Sequence, residues 1–477
     1  MRRFTLLVAF LSACTSATET LPASVTTAST VATTTTAAEI PGVRAEAGVG
    51  DRMFPDLGNA GYDVISYDIA LSVDSTLTNI EGAGTIEAVA TLPLASFTVD
   101  FVGFTVTAVA VDGEPADFVR DARDMRITPA KTIPTGDEFT VMLDYHGAPR
   151  PVDLTDFPFP TGWQRGDGVS VFLFSEPDGA SGVFPVNDHP TDRADVVLRV
   201  TVPSPHVVVS GGTATPVVVD GDLRTYRFDI PMVAPYLIPM AIGDFAPVTT
   251  ADGVVTWMGN AAPLPPGFDR QAEILAALES DLGSYPFVGS GAVVVDSDFP
   301  AALETQTLST YTTTSAAWGT IVIAHELSHQ WFGNEIGLGQ WDDIWLNEGF
   351  ATFMTWRWIE RDLGREAYEA EVRRAWDAMS LPGVPPPDHP PGQDLFNASV
   401  YLRGGLALVA LREFVGDDEY FDFLRSYVAT FSGKTVTTEA FLTFVLVVLG
   451  PDAEDLIIDW VRSEPIPPYP LEASVSE

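Results

Sequence analysis

Two histidines four residues apart, His325 and His329, constrain this chain more than any other feature. They lie in IVIAHELSHQWFGNEIGLGQWDDIWLNEGFAT, which runs from Ile321 to Thr352. On a helix this spacing sends both imidazoles out of one face, about one turn apart. Ile321, Val322, Ile323, Trp331 and Phe332 flank the pair and argue for a buried helix. Buried imidazoles without partners would be costly, so the pair calls for a ligand. Glu326 sits between the histidines, completing H-E-x-x-H, in which two imidazoles bind zinc and the glutamate acts as general base on a water. With eighteen residues in between, Glu348 follows His329 at the start of a second helical pattern, Glu348 to Ile359. Two histidines and one carboxylate are a catalytic zinc set, with the fourth position left to water.

The rest of the chain bounds what can surround that set. With 477 residues, 46% of them hydrophobic and 10% aromatic, there is core enough for two or three domains. The formal charge is −40, spread along the chain, and only Lys131 and Lys434 among the 25 basic residues are lysines. Such a surface repels nucleic acid and excludes it as a partner. No pattern specifies an oligomeric state. Cys14 is the one cysteine, so there is no intrachain disulfide framework. It follows a basic start (Arg2, Arg3) and an apolar run (Phe4 to Leu11) too short to span a membrane. Leu11-Ser12-Ala13-Cys14 resembles the lipobox of bacterial lipoproteins. That resemblance implies export, lipidation of Cys14 and anchoring to the outer face of a membrane; an ordinary secretory signal is the alternative.

Taken in order, residues 1–14 read as the signal segment and 15–50 as a Thr/Ser/Ala-rich linker that buries too little to order itself. Residues 51–247 read as an all-β domain: short alternating runs such as Tyr67 to Val73, Thr98 to Val102, Phe139 to Tyr145 and Val196 to Val202, punctuated by Asp112-Gly113, Asp167-Gly168 and Asp220-Gly221. Residues 248–470 mix types, and 471–477 form a tail. The patterns predict a helix over Arg270 to Leu282, a strand over Ala292 to Asp296 and an edge strand over Ala301 to Ser309. The H-E-x-x-H helix should stop at Gly333-Asn334. Helices follow over Arg365 to Met379, Leu402 to Phe414, Glu419 to Phe431, Thr438 to Leu449 and Asp452 to Arg462. Trp358 and Tyr368, at helical spacing, belong to the core.

These motifs together resemble the aminopeptidase N and leukotriene hydrolase family of gluzincins. Besides H-E-x-x-H, Asn347 to Ala351 reads Asn-Glu-Gly-Phe-Ala, Phe184 to Pro190 followed by Asp192-Arg-Ala194 resembles a segment of the family's β domain, and Tyr401-Leu-Arg-Gly404 resembles its Tyr-x-Lys-Gly motif. The resemblance implies a multidomain β and α+β fold: an N-terminal all-β saddle domain, then a thermolysin-like, mainly helical zinc peptidase domain. It also implies one zinc ion on His325, His329 and Glu348, Glu326 as general base, and Tyr401 as donor to the developing oxyanion. Glu304 would receive the α-ammonium of peptides with free N-termini, with Ala301 and Ala302 in the same substrate-binding segment. Glu176 is the candidate for a second amine anchor, with Asp178 competing. The family's Gly-Ala-Met-Glu-Asn motif is altered here to Ala301-Ala-Leu-Glu-Thr305. Against that family, the large C-terminal helical domain of many members is expected to be missing and the cleft to be more open. An aminopeptidase is the reading these residues favour; a zinc endopeptidase or epoxide-type hydrolase, or a non-catalytic zinc-containing lipoprotein, are the alternatives.

Overall fold

The computed structural model describes residues 42–121, 123–152, 159–392 and 394–471. The signal segment with Cys14, the linker as far as residue 41 and residues 472–477 of the tail lie outside the described residues. The described residues form one compact unit.

The first half is built on a nine-stranded sheet whose centre is Glu138–Gly147, Ile80–Ala90, Tyr62–Val73, Ala194–Pro203 and Leu223–Val233, side by side in that order. Tyr62–Val73 and Ala194–Pro203 run parallel, and their other neighbours antiparallel. Alternation explains which face is buried, and one irregularity explains a change of phase. Tyr62 and Val64 point inward, the ladder shifts register between Val64 and Ser66, and Tyr67, Ile69, Leu71 and Val73 then point inward. One extra residue in a strand exchanges its faces, as a bulge does. Two four-stranded sheets complete this half; the second contains Val171–Phe174 beside Ala241–Gly243.

A five-stranded sheet leads into the helical half: Phe245–Thr249, Val255–Gly259, Gly291–Val295, Leu308–Thr312 and, at its edge, Ala302–Leu303. The edge strand differs from the expected Ala301 to Ser309. It breaks at Glu304–Thr307, where other groups take over the ladder's hydrogen bonds. Thr305 Oγ1 donates to the Leu308 carbonyl, Gln306 N–H to Leu237, and Thr307 adopts a positive φ of 66°. Glu304 therefore sits just beyond the strand, at the head of this bend.

The helices follow the apolar periodicity: Gln271–Leu282, Thr320–Ser328, Trp345–Leu363, Arg365–Met379, Ala398–Val415, Asp417–Phe431, Thr438–Leu449 and Pro451–Arg462. Trp358 and Tyr368 are buried in the core. The Thr320–Ser328 helix ends earlier than expected, with His329 as its C-cap. Beyond it the chain makes wider turns, Asn334 N–H donating to the His329 carbonyl and Glu335 N–H to Gln330. One close approach matters for the site. The Trp345–Leu363 and Ala398–Val415 helices cross at Gly349 and Gly404, where a Cβ on Gly349 would lie 2.9 Å from the Gly404 carbonyl carbon. Only two glycines let these backbones approach so closely, which brings Glu348 and Tyr401 to one cavity. Among the described residues no helix is long and apolar enough to cross a membrane.

Candidate active site

His325 leaves the last turn of its helix and His329 its C-cap, so the two rings stand 4.7 Å apart between centroids. Glu348, in the first turn of the Trp345–Leu363 helix, faces them. The three ligand atoms form a nearly regular triangle: 3.1 Å from His325 Nε2 to Glu348 Oε2, 3.4 Å from His329 Nε2 to the same oxygen, and 3.2 Å between the two Nε2 atoms. A tetrahedral zinc with bonds of about 2.0–2.1 Å needs its ligand atoms roughly 3.3 Å apart, so these residues fit the ion. Among the described residues this is the one group of three His, Cys, Asp or Glu whose ligand atoms all lie within 4.8 Å of one another. His329 Nδ1 donates to the Phe332 carbonyl at 3.0 Å, which turns Nε2 toward the triangle.

Electrostatics favour positive charge at this point. Glu176, Glu304, Glu326 and Glu348 are all buried around the histidines. Burial would lower His329, but Glu304 and Glu348 outweigh it and raise its pKa well above the ordinary value. Burial would raise Glu348, but His329 and His325 outweigh that and hold its carboxyl at about 2, ionised and ready to ligate. Burial lowers His325, which favours the neutral imidazole that a metal requires. A dication resolves this excess of buried negative charge.

The expected metal, catalytic and substrate-binding residues meet in one cavity of about 620 Å³: His325, Glu326, His329, Glu348, Glu304, Ala301, Ala302, Glu176 and Tyr401 line it. Between the two candidates for the second anchor, the structure brings Glu176 to the cavity, whereas Asp178 turns away to pair with Arg123 and to accept from Thr161. The Oε1 atoms of Glu176 and Glu304 are buried without a hydrogen-bond partner. Burial raises the Glu326 carboxyl well above its ordinary range, which makes it a stronger base when ionised. Tyr401 lies with its ring 6.1 Å from that of His325, nearly parallel to it. Burial and then the Glu348 carboxylate raise its hydroxyl well above the usual range, so it keeps its proton.

Two positioning residues escape a reading of the sequence. Gln330 Nε2 and Asn334 Nδ2 both donate to the Glu304 carbonyl, at 3.0 and 2.8 Å, tying the acidic bend to the metal helix. Their place one and five residues after His329 is the one signal that could have marked them. The aromatic wall of the cavity, Phe159, Phe174 and Phe396, carries no such signal because its members are far apart in sequence.

The Peptidase family M1 domain matches residues 268–460. The crystal structure of an M1 zinc metallopeptidase from Deinococcus radiodurans superposes with a TM-score of 0.82 at 32% identity, covering 89% of this chain and 98% of that one. Aminopeptidase M1-B of Oryza sativa subsp. japonica is 24% identical over 446 residues, covering 84% of this chain and 50% of that protein. Aminopeptidase N of Acetobacter pasteurianus is 29% identical over 323 residues, covering 61% of this chain and 88% of its own length. The chain spans at most about half the length of the first plant relatives it matches. With a metal-ligand triangle on H-E-x-x-H and a distant glutamate, and with 32% identity over nearly the whole of the Deinococcus radiodurans chain, the chain belongs to the M1 family of zinc metallopeptidases.

Proposed function

We propose that the protein is an aminopeptidase that hydrolyses the first peptide bond of peptides with free N-termini. The observation that carries this reading is the pair of buried, unpartnered Oε1 atoms of Glu176 and Glu304 in the same cavity as the metal triangle. A buried acceptor without a partner costs on the order of 1–3 kcal/mol, and a substrate ammonium held between two carboxylates relieves it twice. A blocked N-terminus brings no such charge. A Deinococcus radiodurans M1 zinc metallopeptidase mutant 33% identical to this chain has been solved bound to a Tyr-Ser-Ala substrate, which supports a peptide as the ligand class.

His325, His329 and Glu348 would hold the zinc ion, which when bound would supply Lewis acidity. Glu326 takes the proton of the attacking water and hands it to the leaving amine. The Tyr401 hydroxyl donates to the oxygen of the carbonyl as negative charge develops there. Glu176 and Glu304 hold the α-ammonium and so fix which bond is presented. The product series from an unblocked decapeptide, followed by mass spectrometry, tests the reading. Stepwise loss of single residues from the N-terminus is expected, and internal fragments would contradict it.

We propose further that the enzyme is exported and held on the outer face of a bacterial membrane through a lipid on Cys14. The support is the order Arg2-Arg3, apolar Phe4 to Leu11, then Leu-Ser-Ala-Cys14. Cys14→Ser should move the protein from the membrane fraction to the soluble fraction; an unchanged distribution would refute the anchor.

A further inference from the structure

We propose that Tyr236 is a positioning residue for the amine anchors: when an α-ammonium binds Glu304 from the cavity, the buried Tyr236 hydroxyl donates to the same carboxylate from the protein side. This deepens the aminopeptidase reading and rests on it. Glu176 and Glu304 each keep an Oε1 atom buried without a hydrogen-bond partner, and the Tyr236 Oη atom is buried without one as well. Two acceptors and one donor are therefore left unsatisfied around one site. A carboxylate accepts through both oxygens, so an ammonium and a phenol can share it.

The backbone ties Tyr236 to all three glutamates. Tyr236 is the middle residue of the short turn Pro235–Leu237. Toward Glu304, the Leu237 carbonyl accepts the Gln306 N–H at 3.0 Å, two residues beyond the anchor. Toward Glu176, the Gly179–Gly182 turn, which begins three residues beyond that anchor, packs against Pro235–Leu237. Toward Glu348, the Tyr236 ring stands edge-on to Trp341 at 5.1 Å and 65°, and Trp341 opens the turn that leads into the Glu348 helix. Burial, and then the Glu304, Glu176 and Glu348 carboxylates, raise the phenol well above its usual range, so it keeps its proton and remains a donor.

The other polar side chains at this place are already committed. Gln330 and Asn334 donate to the Glu304 carbonyl rather than to its carboxylate, and Gln306 Nε2 donates to the Pro231 carbonyl at 2.7 Å. Arg193, which also acts on the phenol, donates to the Met232 and Glu335 carbonyls. Tyr236 is the donor left over. A buried hydroxyl without a partner destabilises the free protein, and a role in the bound state is a reason for it to stand there. Tyr368 and Tyr420 also carry such hydroxyls, but after burial the group that acts on both is the Arg412 guanidinium.

The test uses the full chain with zinc and one tripeptide, free and N-acetylated. Tyr236→Phe should raise KM for the free tripeptide by about tenfold and leave kcat within about twofold. In a Glu304→Ala background the same substitution should leave KM unchanged, because the hydroxyl acts through that carboxylate. The denaturation midpoint of free Tyr236→Phe protein should equal or exceed that of the wild type, whereas loss of a hydroxyl that braces the fold would lower it. Tyr420→Phe, the control, should keep the wild-type KM. An unchanged KM in Tyr236→Phe, a rise shared by Tyr420→Phe, a rise that persists in the Glu304→Ala background, or a lowered midpoint overturns the role of Tyr236 and leaves the aminopeptidase reading in place. A wild-type enzyme that cleaves the N-acetylated tripeptide as fast as the free one overturns that reading and this role with it.

Discussion

Glu176 and Glu304 reach one cavity from two different sheets, and each keeps a buried Oε1 atom without a hydrogen-bond partner. Glu176 follows a strand of a four-stranded sheet, and Glu304 follows the edge strand of the five-stranded one. Removing one anchor should weaken selection rather than chemistry. Glu304→Ala is expected to raise KM for free peptides by tenfold or more, in line with a charge-assisted contact of about 1.5–3 kcal/mol. Measured against N-acetylated peptides, the preference for free N-termini should shrink; an unchanged preference would remove Glu304 from this role.

Glu326 lies within the metal motif yet makes no side of the ligand triangle. Glu326→Gln keeps the shape and loses the base. Elemental analysis should still find one zinc per chain, while kcat falls by about 10²–10⁴-fold. Near-normal turnover would rule out Glu326 as the proton carrier.

Tyr401 stands with its ring 6.1 Å from that of His325, on the helix that packs its Gly404 against Gly349. A donor that acts on developing charge shows itself in kcat. Tyr401→Phe should lower kcat by about 10²–10³-fold and leave KM within a few-fold. A rise in KM at constant kcat would make the hydroxyl a ground-state binding group instead.

Asp100 provides a pH handle outside the active site. It is buried in the sheet-rich half, where Asn59 Nδ2 and the Asp188 N–H donate to Oδ2 and Oδ1 has no partner. Burial, aided by the Asp124 and Asp178 carboxylates, pushes its pKa up to about 7. Between the ordinary carboxylate range near 4 and about 7 the folded protein keeps a proton that the unfolded chain releases. Stability therefore falls as pH rises through that window, by about 1.4 kcal/mol for each unit of pKa difference. Denaturant unfolding across pH 4–8 should show this slope, and Asp100→Asn should flatten it. A slope unaltered by the substitution would assign it to other groups.

What was legible in the sequence is what depends on local geometry. Helical periodicity places His325 and His329 on one face, so the metal pair can be read from spacing alone, and Glu348 follows from a second helix start. The all-β and helical halves are legible for the same reason, through periods of two and 3.6 residues. The bend at Glu304 was not, because the expected strand is broken by contacts with distant partners: Gln306 to Leu237, and Gln330 and Asn334 to the Glu304 carbonyl. Nor could spacing decide between Glu176 and Asp178; Arg123, more than fifty residues away, takes Asp178 out of the cavity. The aromatic wall of the cavity is the extreme case, since Phe159, Phe174 and Phe396 meet only in the folded chain.

The central claim is that a metal triangle and two amine-binding carboxylates act on one substrate. Its most direct test is the rate of first-residue release from one tripeptide and from its N-acetylated form, before chelation, after chelation and after zinc is restored. The account predicts release from the free peptide alone, abolished by chelator and recovered with zinc. Equal rates on both forms, or a rate indifferent to chelation, would contradict it.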